Sequence, residues 1–193
     1  MARIDSTKFY KSALSLHGMS AQGLNWSSKK SQEIRFDIIL EMLPKNFNQL
    51  TLADAGCGFG DFYLYMKQKP KKYIGIDSMP EMCEITSKQT GCEVIMADIC
   101  KDELPTADYF VCSGALNILN PFEAYQFIRN CYLTSKHGFI FNILYGNKKS
   151  ETYNYMTGEQ IKKIAKELGV KRVKMQTEYL KNDITVAFFK GKN

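Results

Sequence analysis

Apolar and polar positions divide this chain into two stretches with different rhythms. Residues 1–48 are polar and helical in pattern, with breaks at Gly18 and Gly23. From Thr51 onward, short apolar runs alternate with amphipathic segments. Residues 50–55 are a strand-length run ending in a glycine cluster, and a helix through Phe62, Leu64 and Met66 is predicted to stop before Pro70. Further strands are predicted over 73–76, 93–97, 107–112 and 139–144. Ser78 with Glu81 has capping-box spacing, with Pro80 in the first turn of the helix it would open. Pro121 opens a helix whose Ala124, Phe127, Ile128 and Cys131 share one face. A polar loop over 146–155 precedes a second capping box, Thr157 with Gln160, and a helix stopped by Gly169.

The last two apolar runs, 172–179 and 184–189, are separated by four residues. That gap is too short for a parallel crossover, so they are predicted to pair as a hairpin. Apolar strands bracketed by amphipathic helices indicate an α/β fold with a doubly wound, mostly parallel sheet. The hairpin makes one strand antiparallel. Residues 1–48 are read as a helical cap and 49–193 as the sheet domain, one structural domain overall.

Composition supports an ordinary folded domain and removes other classes. The chain has 193 residues, 45% hydrophobic and 12% aromatic, which excludes a disordered tail or a collagen-like repeat. A net charge of +6 falls short of a dedicated nucleic-acid binder. The six cysteines include no C-x-x-C pair, and only His17 and His137 could join them, so no metal site is expected. Several cysteines lie in apolar runs, as small hydrophobes do. The first seventeen residues lack an apolar core of signal-peptide type, and no apolar run approaches a membrane span of ~20 residues. A reduced, cytoplasmic protein is the expectation.

The candidate chemistry lies at strand ends. Asp54-Ala55-Gly56-Cys57-Gly58-Phe59-Gly60 stands where the first strand turns into the first helix of the sheet. Glycine there permits positive φ and lets a ligand approach the backbone. The spacing is G-x-G-x-G, and Asp61 occupies the place where a dinucleotide fingerprint wants its last glycine. Asp54 adds a second negative charge. An acidic loop suits a cofactor carrying a cation better than a pyrophosphate. Asp77 closes the second strand, about twenty residues on, where an acid accepts ribose hydroxyls. Ser78 and Met79 follow it. Asp98 closes the third strand, where a carboxylate can accept from an adenine amino group and Ile99 can cover the ring. Three signals on three consecutive strand ends are what one adenosine-shaped ligand requires.

These segments resemble motifs one, two and three of the class I S-adenosylmethionine-dependent methyltransferases. The terminal Asp183-Ile184-Thr185-Val186-Ala187-Phe188-Phe189 resembles that family's antiparallel seventh strand. The resemblance implies a Rossmann-like sheet of seven strands and S-adenosylmethionine as cofactor. It sets Gly56, Cys57, Gly58 and Gly60 against the methionine moiety, Asp77 at the ribose, and Asp98 with Ile99 at the adenine. Ser113 and Gly114 would lie beneath the methionine end. The region with His17-Gly18, Trp26, Gln32 and Arg35-Phe36 is similar to a subgroup of small bacterial methyltransferases.

Trp26 can close over the cofactor or anchor the N-terminal segment. His17 is either a proton acceptor near the methyl group or a surface histidine at a helix end. Ser28, Ser31, Gln32 and Arg35 form a polar helical stripe. It is either a solvated face or a cap in which Arg35 or Gln32 meets the methionine carboxylate. Methyl transfer needs alignment more than a general base, so no catalytic residue is assigned. The fourth strand is followed by Ser113-Gly114-Ala115-Leu116-Asn117, without the Pro-Pro-aromatic motif of amino-group methylation on adenine or glutamine. Cys112 lies inside a strand and lacks the context of a cytosine nucleophile. Tyr10, Trp26, Tyr145, Tyr153 and Tyr155 are available for an aromatic acceptor pocket or a lid. A small-molecule acceptor is expected, with nucleic acid and membrane disfavoured. The rivals are a nicotinamide-dependent oxidoreductase, a non-catalytic cofactor-binding module and an aminopropyl transferase.

Overall fold

The computed structural model describes residues 6–20, 22–24 and 28–191. Two helices, α1 (Ser6–His17) and α2 (Lys29–Met42), precede the sheet. The chain then runs β1 (Thr51–Ala55), α3 (Asp61–Tyr65), β2 (Lys72–Asp77), α4 (Pro80–Thr90), β3 (Glu93–Met96) and β4 (Ala107–Ser113). It continues through α5 (Pro121–Thr134), β5 (Ser135–Tyr145), β6 (Tyr155–Met156), α6 (Gly158–Glu167), β7 (Arg172–Gln176) and β8 (Asp183–Phe189). The strand order is β3-β2-β1-β4-β5-β8-β7, with β6 paired to the end of β5. Only β8 runs antiparallel to its neighbours β5 and β7. The chain moves outward from β1 to β3 and then returns to β4, so the order reverses between β1 and β4. A crevice opens at such a switch point, outside the carboxyl ends of the strands.

Side-chain alternation along each strand builds two buried layers. Ala53, Ile74, Phe110, Phe139 and Val186 face α5 and α6. Leu52, Tyr73, Val111, Ile140 and Ala187 face α2 and α3. Near-continuous apolar strands are required because both faces are covered. Pro121 opens α5 and Thr157 with Gln160 forms a reciprocal capping box, both as predicted; Asn120 with Glu123 forms a second box that was not singled out. Among the described residues, no helix is long and apolar enough to cross a membrane.

Four features depart from expectation. The sheet has an eighth, two-residue strand, β6, inside the segment predicted as a polar loop; it is held by pairing with Leu144 and Tyr145. Helix α3 is only five residues long. Its last carbonyls, on Tyr63 and Leu64, are taken by the Lys69 ammonium instead of by further helix. Ser78 does not cap α4: the cap position is Met79, with no side-chain bond, and Asp77 Oδ1 accepts the Met79 N–H at 3.0 Å. Finally, the polar stripe of α2 is not solvated. Ser31, Gln32 and Arg35 are buried beside Phe36 and Ile39: Gln32 meets Asp61, Arg35 meets Asp183, and Ser31 bonds Ser28 in a capping box.

Candidate functional site

The glycine loop after β1 is fixed by its own backbone. Gly56 and Cys57 both donate to the carbonyl of Ile76, Gly58 donates to Asp77 Oδ2 at 3.1 Å, and Gly60 donates to the carbonyl of Cys57. These amides are occupied within the protein and do not present a cradle for a pyrophosphate. Thr86 on α4 donates its hydroxyl to the Gly58 carbonyl at 2.5 Å, pinning the loop from the other side. Gly56 has φ +77° and a Cβ there would lie 2.6 Å from Ala115, so this turn demands glycine. Gly60 does not border the cavity described below. A Cβ on it would meet Thr90 at 2.7 Å, so its place is in the packing of the loop against α4.

A cavity of about 460 Å³ lies over the carboxyl ends of β1 to β4. That volume is within the range of small-ligand pockets, roughly 300–1,000 Å³. Asp54, Gly56, Cys57 and Gly58 border it from β1, and Asp77, Ser78 and Met79 from β2. Asp98 and Ile99 border it after β3, and Ser113 and Gly114 after β4. The sequence-derived candidates thus converge on one space, with three exceptions. Gly60 stands behind the loop. Trp26 lies outside the described residues. Arg35 is not among the residues lining the cavity; its guanidinium is paired with Asp183 on β8 and also donates to the Ser31 carbonyl. His17 is exposed at the end of α1, also away from the cavity.

Several wall residues were not singled out in the sequence. Phe9, Leu24, Phe36, Phe62, Phe122 and Phe127 also line the cavity. Of the tyrosines expected there, Tyr153 lines the cavity, while Tyr145 and Tyr155 do not. Asn142, fully buried on β5, accepts the Gly114 N–H through Oδ1 at 3.1 Å and donates through Nδ2 to Ser113 Oγ at 3.3 Å. It sets the β4 turn. A lone amide inside the run 139–144 was the available signal, since a buried amide must be bonded. Asn117 accepts the Leu144 N–H on its side chain and the Asn154 N–H on its carbonyl. The residue beside Tyr153 is thereby tied to the site, and the 146–155 segment forms a wall anchored at this end.

The electrostatics are set by carboxylates in a dry wall. Asp54 is 3% exposed, and burial pushes its carboxyl up to about 7 despite a 2.5 Å hydrogen bond from the Tyr73 hydroxyl. The nearby charges of Asp77 and Asp61 push in the same direction. Burial likewise raises Asp77 to about 6, against the pull of the Met79, Gly58 and Ser78 amides. Asp98 Oδ2 meets Lys101 Nζ at 2.6 Å, and Asp98 Oδ1 accepts the Cys100 N–H. Cys57 and Cys112 are buried, and burial pushes both thiols up, so neither is an activated nucleophile.

A prediction follows for Asp54. An acid whose folded-state pKa lies above its unfolded value makes the folded state bind extra protons between the two. Stability is therefore lost as pH rises from about 4 to about 7. Asp54→Asn removes this loss and retains an oxygen for Tyr73. The variant is expected to be more stable than the parent at pH 8 by ~2 kcal/mol, with the gap closing towards pH 4. Urea unfolding at the two pH values measures it, and a variant less stable at pH 8 contradicts the assignment.

Residues 52–138 match the family model described as a methyltransferase domain. This stretch, a little under half of the chain, is similar to a methyltransferase domain. Its fold is shared by the magnesium protoporphyrin IX methyltransferase of Synechocystis PCC 6803, crystallised with S-adenosylhomocysteine. That match has a TM-score of 0.69, 14% identity and coverage of 83% of this chain and 84% of the other. Human N-acetylserotonin methyltransferase, crystallised with S-adenosylmethionine, aligns with a TM-score of 0.64, 14% identity and coverage of 97% and 57%. In sequence, the chain is 30% identical over 73 residues to a Bacillus cereus protein described as an uncharacterized RNA methyltransferase. That stretch is 38% of this chain and 16% of the relative's length.

Proposed function

We propose that this chain is an S-adenosylmethionine-dependent methyltransferase acting on a small-molecule acceptor. The observation that carries the reading is the row of carboxylates Asp54, Asp77 and Asp98 on consecutive strand ends, bordering one cavity beside a glycine loop whose amides are already occupied. This wall suits a cofactor with a positive centre and an adenosine, and does not suit a pyrophosphate. Asp77 retains lone pairs for two ribose hydroxyls beyond the amides it accepts. Asp98 and Ile99 serve the adenine, with Ser78 and Met79 alongside. Gly56, Cys57 and Gly58 face the methionine portion across from Ser113 and Gly114.

The bound sulfonium supplies a methyl group for in-line displacement. The protein's part is to align acceptor and methyl group and to exclude water, which the apolar rings of the wall serve. A small acceptor is supported by the charges of that wall. Among the described lining residues Lys101 is the only cation, and it is bonded to Asp98. An RNA acceptor, the class named for the Bacillus cereus relative, would need basic groups around this opening. Thermal-shift measurements with S-adenosylmethionine, S-adenosylhomocysteine, NAD and NADP test the reading. Stabilisation by the first two is expected, and stabilisation by NAD alone would overturn it.

A further inference from the structure

Helices α2 and α3 contribute Gln32, Phe36, Asp61 and Phe62 to the cavity wall. Gln32 is 4% exposed. Its Nε2 donates to Asp61 Oδ2 at 2.9 Å. A carboxylate only accepts, so this contact fixes which end of the Gln32 amide is nitrogen and leaves Oε1 as the other. Among the described residues no group donates to Gln32 Oε1, and none donates to Asp61 Oδ1. Both oxygens thus keep lone pairs free on a wall shared with the rings of Phe36 and Phe62, and the partner they can take is a donor. Lys101, the one cation among the described lining residues, is bonded to Asp98.

We propose that the methyl acceptor is a small amine on a flat apolar frame, with its nitrogen held by Gln32 Oε1 and Asp61. The inference rests on the methyltransferase reading above and narrows it. The bound ammonium first gives a proton to water, and the neutral nitrogen's lone pair then forms the N–C bond as the methyl C–S bond breaks. The electron pair stays on sulfur, giving S-adenosylhomocysteine, and the new ammonium releases its proton to water. Asp61 offsets the charge that develops on nitrogen. A carboxylate- or phosphate-bearing acceptor would instead place like charges together.

The test uses the full chain saturated with S-adenosylhomocysteine and three probes of one shape: 2-phenylethylamine, 2-phenylethanol and 3-phenylpropionate. Ligand-observed NMR titration is expected to show the amine binding at least tenfold tighter than the carboxylate. Asp61→Asn, which keeps an oxygen for the Gln32 amide, should cut amine affinity about tenfold and leave the alcohol within twofold. The alcohol thus reports an intact pocket, and a merely structural Asp61 would weaken both probes alike. Equal binding of amine and carboxylate, a preference for the carboxylate, or parallel losses in the variant overturns the acceptor assignment while the cofactor reading stands. Failure of S-adenosylhomocysteine itself to bind overturns both.

Discussion

Asp77→Ala is expected to weaken S-adenosylhomocysteine binding about 1,000-fold, equivalent to ~4 kcal/mol. Two losses add. In the proposed complex the carboxylate accepts both ribose hydroxyls, and hydrogen bonds to a charged group are worth ~1.5–3 kcal/mol each. The same carboxylate also accepts the N–H groups of Gly58 and Met79, so it joins the glycine loop after β1 to the entry of α4. Without it, both flanks of the cofactor cleft lose a tie. The pH dependence in the parent chain has a definite sign. Burial raises the Asp77 carboxyl to about 6, and the ligand's hydroxyls favour the ionised form. Binding therefore tightens as pH rises through 6, by about tenfold between pH 5 and pH 7, and then levels off. Calorimetric titration across that range reads both effects. A loss under tenfold in Asp77→Ala would remove this residue from the ribose.

The part of the site legible in the sequence is the part written in local pattern. Asp54, Asp77 and Asp98 each close an apolar run, and the period of those runs shows which ends share an edge. The hairpin of β7 and β8 was readable from a gap too short for a crossover. Partnerships that cross the fold were not readable. Gln32 and Asp61 are 29 positions apart, and Arg35 and Asp183 are 148 apart. The polar stripe of α2 therefore gave no sign of whether it met water or matching groups beneath it. Helix α2 buries Ser31, Gln32 and Arg35 on the side that also buries Phe36 and Ile39, so amphipathic periodicity says little there. Strand β6 was hidden for another reason. Two residues carry no period, and only the exposed backbone of Leu144 and Tyr145 makes them a strand. The aromatic wall was expected from tyrosines in loops. It comes mainly from phenylalanines on helices, whose inward faces depend on how those helices dock.

Removing the Arg35 side chain should show what that buried stripe does for the fold. Arg35→Ala is expected to destabilise the chain by ~3–5 kcal/mol, the usual cost of leaving one partner of a buried ion pair uncompensated. Asp183 is 2% exposed and loses its guanidinium, keeping only the Tyr179 hydroxyl at 2.7 Å. Burial already raises the Asp183 carboxyl and Arg35 pulls it back down. Without the arginine its folded-state pKa climbs further. The folded variant then binds extra protons above the unfolded carboxyl pKa, so its deficit is largest near neutral pH and shrinks as pH falls towards 4. Adding Asp183→Asn to Arg35→Ala should recover at least 1 kcal/mol, since an uncharged amide replaces the stranded carboxylate. Urea unfolding of the parent, the two single variants and the double variant closes the cycle. A single-variant cost below 1 kcal/mol would mean that the pair contributes little. The same protein decides the cofactor question for this residue. Since Arg35 stands outside the cavity wall, S-adenosylhomocysteine affinity in folded Arg35→Ala should stay within threefold of the parent. A tenfold loss would instead place the guanidinium on the methionine carboxylate, with Asp183 as its resting partner.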